Sequence, residues 1–135
     1  MKAIQIESHG GEPLLYGAEW PEPVVGPSEA LIRVKAAGVN RADLLQARGL
    51  YPVPPGASAI LGLELAGVVE SVSDPVALVE PGDRVCALVA GGAYAEKAVV
   101  DHRMLIPIPE DWSFVDAAAL PEAWLTAYLN LFLEA

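Results

Sequence analysis

The sequence predicts a mainly β fold: a small, barrel-like domain that ends in short helices. Three observations predict it. Short runs with β-type alternation recur along most of the chain. Twelve prolines and twelve glycines punctuate those runs, as expected for many short strands joined by turns. After Ser113 the character changes to good helix formers without glycine.

The elements follow in order. KAIQIE (2–7) alternates and reads as a strand. Residues 11–29 carry four prolines and read as an extended surface segment. ALIRVKAAGV (30–39) sets Leu31, Arg33 and Lys35 against Ile32, Val34 and Ala36, as a half-buried strand does. ADLLQARGL (42–50) suits a short helix ended by Gly49. PVPPGASA (52–59) excludes helix and central strand. ILGLELAGVVESV (60–72) reads as one long strand, in which Gly62 and Gly67 mark bends or close backbone approach. EPGDRVCALV (80–89) is a turn feeding a strand, AYAEKAVVD (93–101) another strand, and MLIPIP (104–109) a short one. Residues 113–135 predict two helices, with Pro121 in the first turn of the second. From there Trp124, Leu125, Tyr128, Leu129, Leu131, Phe132 and Leu133 are apolar on nearly every face, a pattern that normally means burial.

The totals narrow the function. With 135 residues the chain is one domain, and 53% hydrophobic residues argue against disorder. The net charge is -10, and the basic residues form no run, which excludes a nucleic-acid face. Cys86 is the single cysteine, so there is no internal disulfide and no cysteine-rich zinc site. It reads as a small buried hydrophobe. The N-terminus lacks a signal-peptide pattern and every apolar run is interrupted, so the expectation is a soluble, cytoplasmic protein without membrane partners. His9 and His102 have turn-like surroundings and no nucleophile in motif context.

The stretch GVNRADLLQARGLY (38–51) concentrates Asn40, Arg41, Asp43, Arg48 and Tyr51 at a strand end. From the residues alone, Asn40 closes a turn, Tyr51 packs on prolines, Asp43 caps a helix and Thr126 bonds back along its own turn. Glu64 is the odd polar residue in an apolar run. Buried, it needs a partner, for which Arg41 and Arg48 are candidates; the alternative is a solvated edge.

Three blocks, AAGVNRADLLQARGLYPVPPGASAILGLELAGVV (36–69), EPGDRVCALVAGGAYAEKAVV (80–100) and DAAALPEAWLTAY (116–128), together resemble the medium-chain dehydrogenase/reductase superfamily. The likeness is to the chaperonin-10-like (GroES-like) domain of its zinc-free, zeta-crystallin-like quinone oxidoreductase branch, and most of all to the group of tumour-suppressor-inducible quinone oxidoreductases and bacterial relatives. The resemblance implies a partly open β-barrel over 1–115 and a helical linker over 116–135 toward a dinucleotide-binding Rossmann domain. No glycine-rich dinucleotide turn occurs in this sequence. The chain therefore reads as the N-terminal part of a longer enzyme, inactive alone and homo-oligomeric when whole.

The positions at which the zinc alcohol dehydrogenases place their metal ligands hold Asn40, Leu63 and Glu122 here. Asparagine and leucine supply neither thiolate nor imidazole, and Ala42 stands where those enzymes place a proton-relay hydroxyl. The resemblance instead implies hydride transfer from NADPH to a quinone or similar electrophilic acceptor, with no metal. It implies Asn40 and Tyr51 as catalytic and cofactor-contacting residues and Thr126 as a further cofactor contact. Two alternatives stand beside this reading. One is an enoyl-thioester or alkenal double-bond reductase with Tyr51 as proton donor. The other is a non-catalytic barrel acting as a binding or oligomerisation module.

Overall fold

The computed structural model describes residues 1–7, 12–73 and 78–134; His9 and Ala135 lie outside them. Among the described residues seven strands form two sheets. Strands β1 (Lys2–Glu7) and β2 (Leu14–Glu19) make an antiparallel two-stranded ribbon. A five-stranded antiparallel sheet has the order β6-β3-β4-β5-β7, from β3 (Glu29–Ala37), β4 (Glu64–Val72), β5 (Arg84–Leu88), β6 (Lys97–Asp101) and β7 (Leu105–Pro107). The ribbon docks through an Ala3–Ala95 bridge, with the Ile4 amide donating to the Tyr94 carbonyl at 2.8 Å. Two sheets joined this way give a partly open β structure rather than a closed barrel.

Alternate residues of the central strands serve two cores. Leu65, Val85 and Ala87 point into the larger core with Ala30, Ile32, Val69, Ala98 and Val100. Their neighbours Ala66 and Cys86 face the other way, against Ile108, Ala117 and Ala118. Helix α2 (Phe114–Ala118), capped by the Ser113 hydroxyl accepting from the Asp116 amide, covers that second face. Each large apolar side chain buried in this way contributes roughly 1.5–3 kcal/mol, so both faces of β4 and β5 are fixed. Arg84 ties the segment before α2 to the sheet. Its guanidinium donates to the carbonyls of Pro109, Glu110 and Trp112 and lies 4.7 Å from the Phe114 ring centre.

Three strand readings need correction. The segment 11–29 contains β2 between Pro13 and Pro21, because pairing with β1 satisfies its backbone. The run 60–72 is strand only from Glu64. Gly62 has φ 101°, and a Cβ there would lie 2.6 Å from the Tyr94 ring and 2.7 Å from the Ala93 methyl, so the chain turns under that segment. Within 93–101, strand begins at Lys97. Gly67 is the close backbone approach expected of it: a Cβ there would strike the Arg33 carbonyl of the neighbouring strand.

Helix α1 (Arg41–Ala47) ends where Gly49 takes φ 71°. Helix α3 (Ala123–Tyr128) runs on into a wider, π-type turn over Leu129–Leu133. Its apolar residues are exposed, Trp124 and Phe132 each by 70%. Among the described residues no helix is long and apolar enough to cross a membrane.

Candidate active site

Strand β3 delivers the chain to Gly38, and Asn40 starts α1 with an extended backbone (φ -118°, ψ 158°). The Asn40 amide N–H donates to the Asp43 carboxylate at 2.8 Å, which closes the first turn. Asp43 is only 2% exposed. Its Oδ2 also accepts from the Tyr94 hydroxyl at 2.9 Å, while Oδ1 has no partner. Burial first, and then the bond to Asp43 and the charges of Asp43 and Glu64, push the Tyr94 phenol up. It therefore remains a protonated donor across the physiological range.

Glu64 opens β4 and is 3% exposed. Its partners are not the arginines expected from sequence. Oε1 accepts from Asn40 Nδ2 at 2.8 Å, and Oε2 accepts from the Glu122 backbone N–H at 2.8 Å. Arg48 instead pairs with Glu12 at the surface, 3.0 Å apart. Two N–H donors thus replace a cation at a buried carboxylate. Gly38 makes room for it: a Cβ there would fall on Glu64 Oε1 and lie 2.6 Å from Cδ.

A cleft of about 370 Å³ opens beside this cluster, lined by Asn40, Arg41, Ala42, Leu45, Tyr51, Glu122, Ala123 and Thr126. The structure thus brings Asn40, Tyr51 and Thr126 to one place from three separate segments. Tyr51 is 44% exposed, and Thr126 is exposed, as is every residue of α3. With one amide hydrogen given to Glu64, Asn40 keeps its second side-chain N–H for a ligand. A larger depression of about 710 Å³, walled by Trp20, Pro23, Ser58, Gly91 and Val99 among others, contains none of these residues. The density of polar side chains identifies the smaller cleft as the candidate site.

Two residues of the cluster are not among the catalytic and cofactor-contacting residues expected from the sequence. Glu122 lines the cleft, and burial, then the charges of Glu64 and Asp43, push its carboxyl above the ordinary carboxylate range. Tyr94 holds the Asn40 turn from below and carries no signal in the sequence. Cys86 is buried under α2, and burial pushes its thiol up. Among the described residues no group of three or more His, Cys, Asp or Glu is arranged to hold a metal ion.

Residues 26–110 match the family described as the alcohol dehydrogenase GroES-like domain. The human synaptic vesicle membrane protein VAT-1 homolog-like is 40% identical over 134 residues, covering 98% of this chain and 32% of that protein. The quinone oxidoreductase of Pseudomonas syringae pv. Tomato DC3000 superposes with a TM-score of 0.87 at 36% identity, covering 98% of this chain and 41% of that one. The Escherichia coli quinone oxidoreductase, solved with NADPH, gives 0.86 at 33% identity, over 98% and 40%. The chain spans about a third of the human relative's length.

Proposed function

The chain belongs to the alcohol dehydrogenase GroES-like domain family of the medium-chain dehydrogenase/reductase superfamily, and on that premise we propose that it forms the acceptor-binding wall of an NADPH-dependent quinone oxidoreductase. The observation that carries this reading is the meeting of an amide, a phenol and an aliphatic hydroxyl in one cleft of about 370 Å³. These neutral donors and acceptors suit the carboxamide and ribose of a nicotinamide nucleotide. Similarity to the NADPH-bound E. coli quinone oxidoreductase supports the choice of cofactor.

A bound reduced nicotinamide supplies the hydride. Asn40 and Tyr51 donate hydrogen bonds to the acceptor oxygen on which negative charge develops. Thr126 fixes one edge of the ring system, so that orientation is set before reaction. Glu64 and Asp43 hold Asn40 in its place and so preserve that orientation. In this reading residues 1–115 are the substrate domain and 116–135 lead toward a dinucleotide-binding domain; α2 straddles that division.

The test is steady-state turnover of the longer protein that carries this chain, with NADPH and NADH, against a quinone panel and 2-enoyl thioesters. NADPH-dependent quinone reduction at least about tenfold more efficient than thioester reduction is expected, a discrimination of ~1.4 kcal/mol. Dominant thioester reduction selects the double-bond reductase instead. No nicotinamide oxidation with either class defeats the enzymatic reading and leaves a binding module.

A further inference from the structure

We propose that Glu122 is the proton donor of the cleft, protonating the acceptor once it has taken up hydride; this rests on the function proposed above. The geometry is specific. The Glu122 backbone N–H is fixed on the buried Glu64 carboxylate at 2.8 Å, so the residue is pinned at the start of α3. Glu122 lines the same cleft as Asn40, Tyr51 and Thr126. Its carboxyl has no hydrogen bond or ion pair among the described residues and is free to give up a proton to a ligand.

The charges around it are mostly negative. Glu64 faces it from β4, and Asp43 from α1. Arg41, also on α1, lines the cleft but forms no ion pair with it. Tyr51 lines the cleft from the loop after α1, and Tyr94 is committed to Asp43 and the Gly38 carbonyl. Asp116 of α2 is turned to its own Ser113 cap, and α3 carries no titratable side chain before Tyr128. Burial and the two carboxylates therefore keep Glu122 protonated to higher pH than an exposed glutamate. A donor poised nearer the working pH is a better general acid.

The step balances. The C–H bond of a reduced nicotinamide breaks, and two electrons and one proton pass as hydride to the acceptor. A quinone becomes a hydroquinone monoanion, and an enone becomes an enolate. The O–H bond of Glu122 then breaks, and the proton forms the new O–H or C–H bond. A proton from solvent, passed on by water in the open cleft, returns to Glu122. The sum is acceptor, reduced nicotinamide and one proton giving reduced acceptor and oxidised nicotinamide.

Two measurements on the longer protein test this. The first is a ¹³C NMR titration of the Glu122 carboxyl in wild type and Glu64→Gln. It should titrate above the ordinary glutamate value of 4.5 and move down in Glu64→Gln. The second is the pH dependence of kcat/KM with NADPH and a quinone, which reports the free enzyme's acid. The rate should fall as pH rises through the same value. Glu122→Gln should abolish that limb and lower kcat by roughly 10²-fold or more, while NADPH affinity stays unchanged. Glu122→Asp should restore part of both. An ordinary titration value overturns the proposal whatever the activity. So does a limb that survives in Glu122→Gln, or one that vanishes in Tyr51→Phe instead. A protein that oxidises no reduced nicotinamide with any acceptor fails at the function itself, while the NMR titration still reads the carboxyl.

Discussion

Replacing Gly38 by alanine tests the central packing argument with one methyl group. Gly38 does not have a positive φ, so the substitution brings no backbone strain of that kind. Space is what it lacks: the new Cβ would fall on Glu64 Oε1 and lie 2.6 Å from Cδ and 2.7 Å from Cγ. The carboxylate has to move, and it holds two bonds of 2.8 Å, from Asn40 Nδ2 and the Glu122 amide. Hydrogen bonds to charged groups contribute about 1.5–3 kcal/mol each. Losing one outright and weakening the other gives an expected cost of ~2–4 kcal/mol. For a chain of this size that lowers Tm by roughly 10 °C. Urea unfolding of wild type, Gly38→Ala, Glu64→Ala and the double variant gives the coupling. Glu64→Ala removes the three atoms nearest the new methyl, so Gly38→Ala should cost far less in that background. Equal cost in both backgrounds refutes the reasoning, and a cost below about 0.5 kcal/mol in the first does so as well.

Asn40→Ala and Tyr51→Phe should each lower kcat/KM of the longer protein by ~1–3 kcal/mol of transition-state stabilisation without loss of fold by circular dichroism. Unchanged kinetics in both rejects their assignment. Glu70 accepts from Lys97 Nζ at 3.0 Å and Arg33 Nε at 3.2 Å, and those bonds, Lys97 first, hold its carboxyl below its ordinary 4.5. Its contribution is present above that value and is lost as pH falls through the lowered folded one. The difference in urea midpoint between wild type and Glu70→Gln should therefore be constant at pH 5–7 and shrink below about 4.5; a pH-independent difference contradicts this. The 135-residue chain alone should bind NADPH weakly or not at all. Its net charge is -10, which repels an anionic dinucleotide. The exposed Trp124, Leu131 and Phe132 should drive self-association. Micromolar binding by a monomer in sedimentation runs on the same sample would refute both expectations.

Strands with strong alternation and α1 are legible in the sequence, because local pattern and cap residues determine them. Strand β2 is not, since LLYGAE (14–19) has a weak alternation and gains its form from pairing with β1. The start of β4 is hidden too, because the turn at Gly62 depends on Tyr94, thirty-two residues further on. At the site, Glu64 announces itself as a polar residue in an apolar run, but its partners do not. Charge arithmetic favours arginine, whereas the fold supplies an amide side chain and a backbone N–H. The proximity of Asn40, Tyr51 and Thr126 spans most of the chain and follows from no periodicity. Motif resemblance suggested it, and the folded chain assembles it.

The double attachment at Glu64 has a mechanical consequence. One carboxylate grips the start of α1 with one oxygen and the start of α3 with the other. Beyond that grip, α3 and the turn after it extend as a lever whose apolar face, Trp124 to Leu133, is bare. Whatever presses on that face exerts torque about Pro121–Glu122. The Glu64 carboxyl, bonded at one oxygen to Asn40 and at the other to Glu122, carries the displacement toward Asn40. Docking at the far end of the lever and the aim of the Asn40 amide are thereby geared together.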